Sequence, residues 1–281
     1  MDRERRHRAE ARPQPPGAGR NAADEMQALA KVFAAGNAAR PSKTPWVSRR
    51  SILVLFGVAL IVIAVAGAAV YFPLRRAQAR DAYDHGQRLM TVGKYREAIV
   101  YFDRATGLNS NFADAAYARA LAYTALGQDP KVLPDLNRVV DLRPDFAEAY
   151  FHRAAIYNRR GEFERAIKDL AKVIALKPEY GPAYALRGAV YRSLGDYQQA
   201  ISDYTRAIQA QPAVDNYFDR ASVYAKIGEN RKALIDLNDA IALKPTVYFL
   251  YLSRANIRSA LGDRAGYAAD RRKAKELEAT H

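Results

Sequence analysis

The chain has 281 residues, 44 Lys/Arg against 30 Asp/Glu for a formal net charge of +14, and 49% apolar residues, a composition that does not mark it as disordered. It contains no cysteine, which excludes disulfide frameworks, Cys-ligated zinc and thiol catalysis. The basic excess is spread: residues 1–50 carry 11 basic and 5 acidic side chains, residues 51–72 carry none, and residues 73–281 carry 33 and 25. A nucleic-acid surface needs a clustered basic stripe, so no nucleic-acid partner is expected.

Residues 1–50 begin Arg-rich and pass into a Pro/Gly/Ala stretch at Pro13–Gly19. Little apolar area is available there to offset chain entropy, which predicts a disordered basic tail. Within it, Asp24–Ala35 has Met26, Leu29, Ala30 and Phe33 at the spacing of a weak helix.

From Ile52 to Phe72 there are 21 residues without a charge. A helix needs about 20 apolar residues to cross a bilayer, and no polar stripe marks this one as a buried soluble helix. Arg49–Arg50 and Arg75–Arg76 bound it, Trp46 and Tyr71–Phe72 sit at interfacial positions, and Pro73 reads as its exit. Residues 51–72 are therefore expected to form a single transmembrane helix in contact with membrane lipid. The long region ahead of it argues against a cleaved signal peptide. A short tail counts toward the positive-inside rule, whereas a long folded domain translocates regardless of charge. That predicts a cytoplasmic N-terminus and, in a bacterial inner membrane, periplasmic residues beyond the helix.

From residue 79 the sequence repeats with a period of 34, with starts at 79, 113, 147, 181, 214 and 248 and one residue deleted near Pro212–Asp215. The large residue opening the first helix of each unit is Tyr150, Tyr184, Tyr217 and Tyr251, with Ala82 and Ala116 in the first two. A small residue follows in mid-helix at Gly86, Ala120, Ala154, Gly188, Ala221 and Ala255. An aromatic comes one turn later at Tyr123, Tyr157, Tyr191 and Tyr224, with Leu89 and Arg258 departing. A turn glycine recurs at Gly93, Gly127, Gly161, Gly195, Gly228 and Gly262, and a closing proline at Pro144, Pro178, Pro212 and Pro245.

This pattern resembles the tetratricopeptide-repeat family over about 200 residues. The resemblance implies an all-α fold, a right-handed superhelical solenoid of antiparallel helix pairs over 79–281, with the degraded sixth repeat as a polar cap. Each pair cannot bury its apolar face alone, and stacking completes the core.

A second series is less generic. Arg119, Arg153, Arg187, Arg220 and Arg254 precede the mid-helix small residues of repeats two to six, while Asp135, Asp169, Asp203, Asp236 and Asp270 share one position in the second helices. Repeat one has His85 and Tyr101 instead. The two positions lie at nearly equal height in a hairpin turning at the glycine, which predicts a ladder of Arg–Asp pairs that orders the packing. The guanidinium fork suits such a semi-buried carboxylate better than an ammonium. Binding of an acidic ligand by these arginines is the alternative.

The family's inner groove is lined by first helices. Carried over, the resemblance implies groove residues Tyr117, Phe151, Asn158, Arg159, Arg192, Phe218 and Lys226, with a basic middle at Arg159, Arg192 and Lys226. Aromatic anchors among adaptable polar neighbours suit a bound peptide, here one with acidic residues. The Lys/Asn/Lys/Arg clamp that grips chaperone C-termini is absent at these positions.

The four histidines, His7, His85, His152 and His281, have no metal-ligand spacing, and no phosphate loop, nucleophile elbow or Rossmann fingerprint is present. No catalytic residue, metal or cofactor is expected. The expected function is a membrane-anchored scaffold that binds a partner protein or peptide. The rival is a self-associating or spacer module of an envelope complex, a homodimer among its forms, with Gly57, Ala64, Gly67 and Ala68 as a weak helix-pairing face.

Overall fold

The computed structural model describes residues 49–279, together with Gln27, Ala30 and Lys31. The expectations for the rest of residues 1–48 and for His281 lie outside the described residues. The chain divides into two units, residues 1–66 and 67–281.

The described residues contain twelve helices and no strand. Helix α1 runs Arg49–Thr91, and its residues Ile52–Val65 and Val70–Phe72 leave their large apolar side chains exposed. Among the described residues it is the one helix long and apolar enough to cross a membrane. Pro73 stands inside α1 and does not end it. Proline removes one backbone hydrogen bond and crowds the preceding turn. The residues beyond it are held by packing: Ala79 and Ala82 are buried, and the Arg75 guanidinium donates to the Gly107 carbonyl at 3.1 Å. The helix therefore continues to Thr91 and serves as the first helix of repeat one.

Eleven shorter helices follow as pairs. Repeat one is closed by α2 (Tyr95–Leu108), and repeat two is α3 (Ala113–Ala125) with α4 (Asp129–Leu142). Repeat three is α5 (Ala147–Arg159) with α6 (Phe163–Leu176), and repeat four α7 (Gly181–Leu194) with α8 (Tyr197–Ala210). Repeat five is α9 (Val214–Lys226) with α10 (Asn230–Leu243), and repeat six α11 (Tyr248–Ala260) with α12 (Arg264–Glu278). From α2 onward each helix packs on the next in sequence, α1 packs on α2 through Tyr83, Leu89 and Met90 against Ala98 and Phe102, and first helices of some neighbouring repeats also touch.

The six inter-helix turns share one geometry. Every turn glycine has a φ between +67° and +82°, where other residues are strained. In repeat two, Gly127 N–H donates to Thr124 O and Gln128 N–H to Tyr123 O, which satisfies the last carbonyls of α3. The other five turns repeat this pair of bonds.

Close approach of the two helices in a pair rests on complementary volumes. The mid-helix small residue faces a large residue of the second helix sixteen positions later. Where that residue is Leu136, Leu170 or Leu237, the small one is Ala120, Ala154 or Ala221, and all six are buried. Where it is Phe102 or Tyr204, the small one is glycine. A Cβ added at Gly86 would fall 2.5 Å from the Phe102 ring, and one at Gly188 3.2 Å from the Tyr204 ring. Total volume is conserved in a close-packed interior that tolerates neither voids nor overpacking.

Tyr204 is fully buried and its hydroxyl has no hydrogen-bond partner among the described residues. Burial pushes its acidity constant up, with Asp219 adding to the shift. An unpaired buried polar group costs about 1–3 kcal/mol. Tyr204→Phe is therefore expected to raise stability by about 1 kcal/mol, read as a higher midpoint in urea. A lower midpoint would mean the hydroxyl has a partner.

Candidate functional site

In repeats two to six each first helix brings one arginine to one aspartate of its second helix. Nε donates to Oδ2 at 2.8 Å for Arg119–Asp135, 2.7 Å for Arg153–Asp169 and Arg187–Asp203, and 2.9 Å for Arg220–Asp236 and Arg254–Asp270. Nη2 donates to the other oxygen in all five, so every pair is bidentate. The aspartates are at most 5% exposed. These bonds raise the Arg119, Arg153, Arg187 and Arg220 basicity further, against the opposing effect of burial.

The repeated tyrosines belong to the same construction. Tyr150 and Tyr157 flank the Arg153 guanidinium at 5.4 and 5.9 Å, and Tyr217 and Tyr224 flank Arg220 at 6.0 and 5.9 Å. Cation–π attraction fixes the plane of the fork. In repeat six Arg258 takes the place of the second tyrosine and adds a contact to Asp270 at 3.0 Å. In repeat one His85 and Tyr101 stack at 4.0 Å.

The third guanidinium nitrogen points backward. Nη1 reaches the second helix of the preceding repeat: Asp103 at 2.6 Å from Arg119, Asn137 at 2.9 Å from Arg153, Thr205 at 2.8 Å from Arg220 and Asn238 at 2.8 Å from Arg254. At Arg187 the corresponding residue is Ala171. Among the described residues, no side-chain hydrogen bond or ion pair joins repeat three to repeat four. The ladder is thus both intra-repeat and cross-repeat, with one missing rung. Saturated on several edges and flanked by aromatic rings, these arginines offer little to an external anion.

The groove residues carried over from the family fall on the first helices as follows. Tyr117 stacks edge-on against Phe146 at 4.7 Å and also meets His152, and burial pushes its hydroxyl up to about 12. Phe151 packs against Tyr180 at 5.4 Å, and Phe218 against Phe249 at 5.4 Å. Asn158 lies half-buried in the last turn of α5. Arg159 is bound by both oxygens of Asp129, whose carboxyl it holds below the usual range. Arg192 is bound by Asp219 at 2.6 Å. Lys226 is exposed. The basic middle is therefore largely neutralised from within, and an acidic guest would compete with Asp129 and Asp219. Neither aspartate was singled out by the groove positions, because each lies in a neighbouring repeat.

Two pockets open between first helices. One, of about 230 Å³, lies between α9 and α11 and is lined by Phe218, Ser222, Ala225, Ser253, Asn256 and Ile257. The other, of about 440 Å³, lies between α7 and α9. Among the described residues, no group of three or more His, Asp and Glu is placed to hold a metal ion.

Paired helices with one recurrent turn, one recurrent small-against-large contact and stacking between neighbours define a helical repeat array. Sequence models of the tetratricopeptide repeat match residues 83–131, 133–181, 181–213 and 214–247. The chain belongs to the tetratricopeptide-repeat family, whose members generally mediate protein–protein interactions as scaffolds and are typically not catalytic.

Solved structures share the fold. The pilF structure from Pseudomonas aeruginosa is 17% identical with a TM-score of 0.60, covering 73% of this chain and 99% of that one. The MamA structure beginning at residue 41, from Desulfovibrio magneticus RS-1, is 20% identical with a TM-score of 0.58, covering 60% and 96%. A second MamA structure is 25% identical with a TM-score of 0.56, covering 59% and 91%. A search of curated proteins finds no match.

Proposed function

We propose that the chain is a single-pass membrane adaptor whose repeat array binds a segment of another protein along its first-helix face. The observation that carries this reading is helix α1: one continuous helix contains both the exposed uncharged run and the buried Ala79 and Ala82 of repeat one. A run of this length covers the bilayer core, about 30 Å thick. The basic residues before it favour a cytoplasmic N-terminus with the repeats on the far side, the periplasm if the host is a bacterium. The pockets between α7 and α9 and between α9 and α11 supply unfilled apolar surface on the face the family uses for binding.

Stacking of a second copy on the last repeat is disfavoured by charge. The positions that hold Leu237 and Ile241 in repeat five hold Arg271 and Lys275 in repeat six.

The absence of cysteine makes single-cysteine labelling a direct test. Ser259→Cys should react with an impermeant maleimide on intact spheroplasts, and Ser42→Cys only after lysis. The reverse pattern would place the repeats in the cytoplasm. Release of the whole chain by alkaline carbonate would remove the anchor.

A further inference from the structure

Aromatic pairs bridge the first-helix face at successive junctions between repeats. The residue just before a repeat packs on the fifth residue of the repeat before it. Tyr83 meets Phe112 at 5.1 Å, Tyr117 meets Phe146 at 4.7 Å, and Phe151 meets Tyr180 at 5.4 Å. At the junction of repeats five and six the residue before the repeat is Val247, and Phe218 instead meets Phe249, the second residue of repeat six, at 5.4 Å. Between repeats four and five the same two positions are Ala185 and Ala213, and one residue of the period is deleted there. Both alanines line the pocket of about 440 Å³, with Leu186, Ala189, Asp215 and Asp219. The opening thus lies where three other junctions place two rings.

The charge on the rim points the same way. Asp219 is matched by Arg192. Asp215, exposed in the first turn of α9, has no ion pair among the described residues. The uncompensated charge at the mouth is negative.

We propose that this pocket is a socket for one aromatic side chain of a partner protein, presented beside a lysine or arginine that meets Asp215. The inference rests on the adaptor reading and narrows its guest to an aromatic–basic segment. The ring would take the place that a ring of the fold itself takes at the first three junctions, burying apolar area in a preformed site with little reorganisation. A buried aromatic in a pocket with a polar rim is the usual form of a binding hot spot.

The test uses the full-length chain in detergent micelles and short fluorescein-labelled Gly/Ser peptides, read by fluorescence anisotropy. The probes carry a central Lys-Phe-Lys, Lys-Ala-Lys or Glu-Phe-Glu. The Lys-Phe-Lys peptide should bind about tenfold or more tightly than Lys-Ala-Lys. Ala185→Phe, which fills the socket with a ring of the kind found at Phe151 and Phe218, should abolish that preference. If circular dichroism shows Ala185→Phe misfolded, Ala213→Tyr fills the same space from the other wall. Asp215→Lys should shift preference toward Glu-Phe-Glu. Equal binding of the Phe and Ala peptides overturns the socket, as does Phe-peptide binding unchanged by a folded filling variant. If such binding is instead lost on Phe218→Ala, the socket is wrong while the adaptor reading stands. If no peptide binds and no partner cross-links from Ser222 or Asn256, both fall.

Discussion

Arg153→Ala is expected to destabilise the array by about 3–5 kcal/mol, the range for removing one member of a buried ion pair. The loss comes less from the bonds given up than from Asp169, which stays 5% exposed with both oxygens stripped of donors. The packing of Tyr150 and Tyr157 on the guanidinium goes as well. Removing both charges with Arg153→Met and Asp169→Leu should recover most of the loss, because an apolar pair of similar volume leaves no charge unpaired. Urea unfolding of the full-length chain, followed by helical circular dichroism, distinguishes the two. A single alanine variant within about 0.5 kcal/mol of the parent would show the pair to be solvated and the ladder to contribute little.

The second large effect concerns volume. Gly86→Ala places a methyl group 2.5 Å from the buried ring of Phe102, inside any tolerable contact. Overpacking of this kind costs about 1–3 kcal/mol. Phe102→Leu on its own should also destabilise, by leaving a cavity. The double change Gly86→Ala with Phe102→Leu recreates the alanine–leucine pair of Ala120 with Leu136 and should be milder than either alone. A double-mutant cycle measured by urea midpoint reads the coupling directly, and additive effects would disprove the compensation.

Much of this architecture is legible in the primary structure because each repeat states the same rule. Glycine at six evenly spaced turns, proline after second helices and small residues in mid-helix each record a local backbone or packing requirement. The positions of Arg153 and Asp169 share that periodicity, so their meeting can be read from spacing alone. What spacing within a single repeat does not reveal is the relation between repeats. Arg159 and Arg192 look like free groove cations until Asp129 and Asp219 arrive from adjacent units. The helix runs on past Pro73 for a related reason: proline marks a local break, but the buried alanines and Arg75 beyond it hold the helix together. The pairing of glycine with Phe102 and Tyr204 is visible sixteen residues apart, once first and second helices are compared position by position.

The missing rung at Ala171 divides the array mechanically. Repeats one to three are cross-linked by Arg119 to Asp103 and Arg153 to Asn137, and repeats four to six by Arg220 to Thr205 and Arg254 to Asn238. Between these blocks the seam is apolar, built from Leu170, Val173, Ala183 and Val190 among others. Apolar contacts are non-directional, so the blocks can roll on one another where the bonded seams shear only by breaking polar bonds. Under tension along the array, this seam would yield first and act as a compliant joint. Ala171→Asp, which gives Arg187 a partner like the Asp103 of Arg119, should lock the joint, gaining about 1 kcal/mol and slowing amide exchange at the facing ends of α6 and α7.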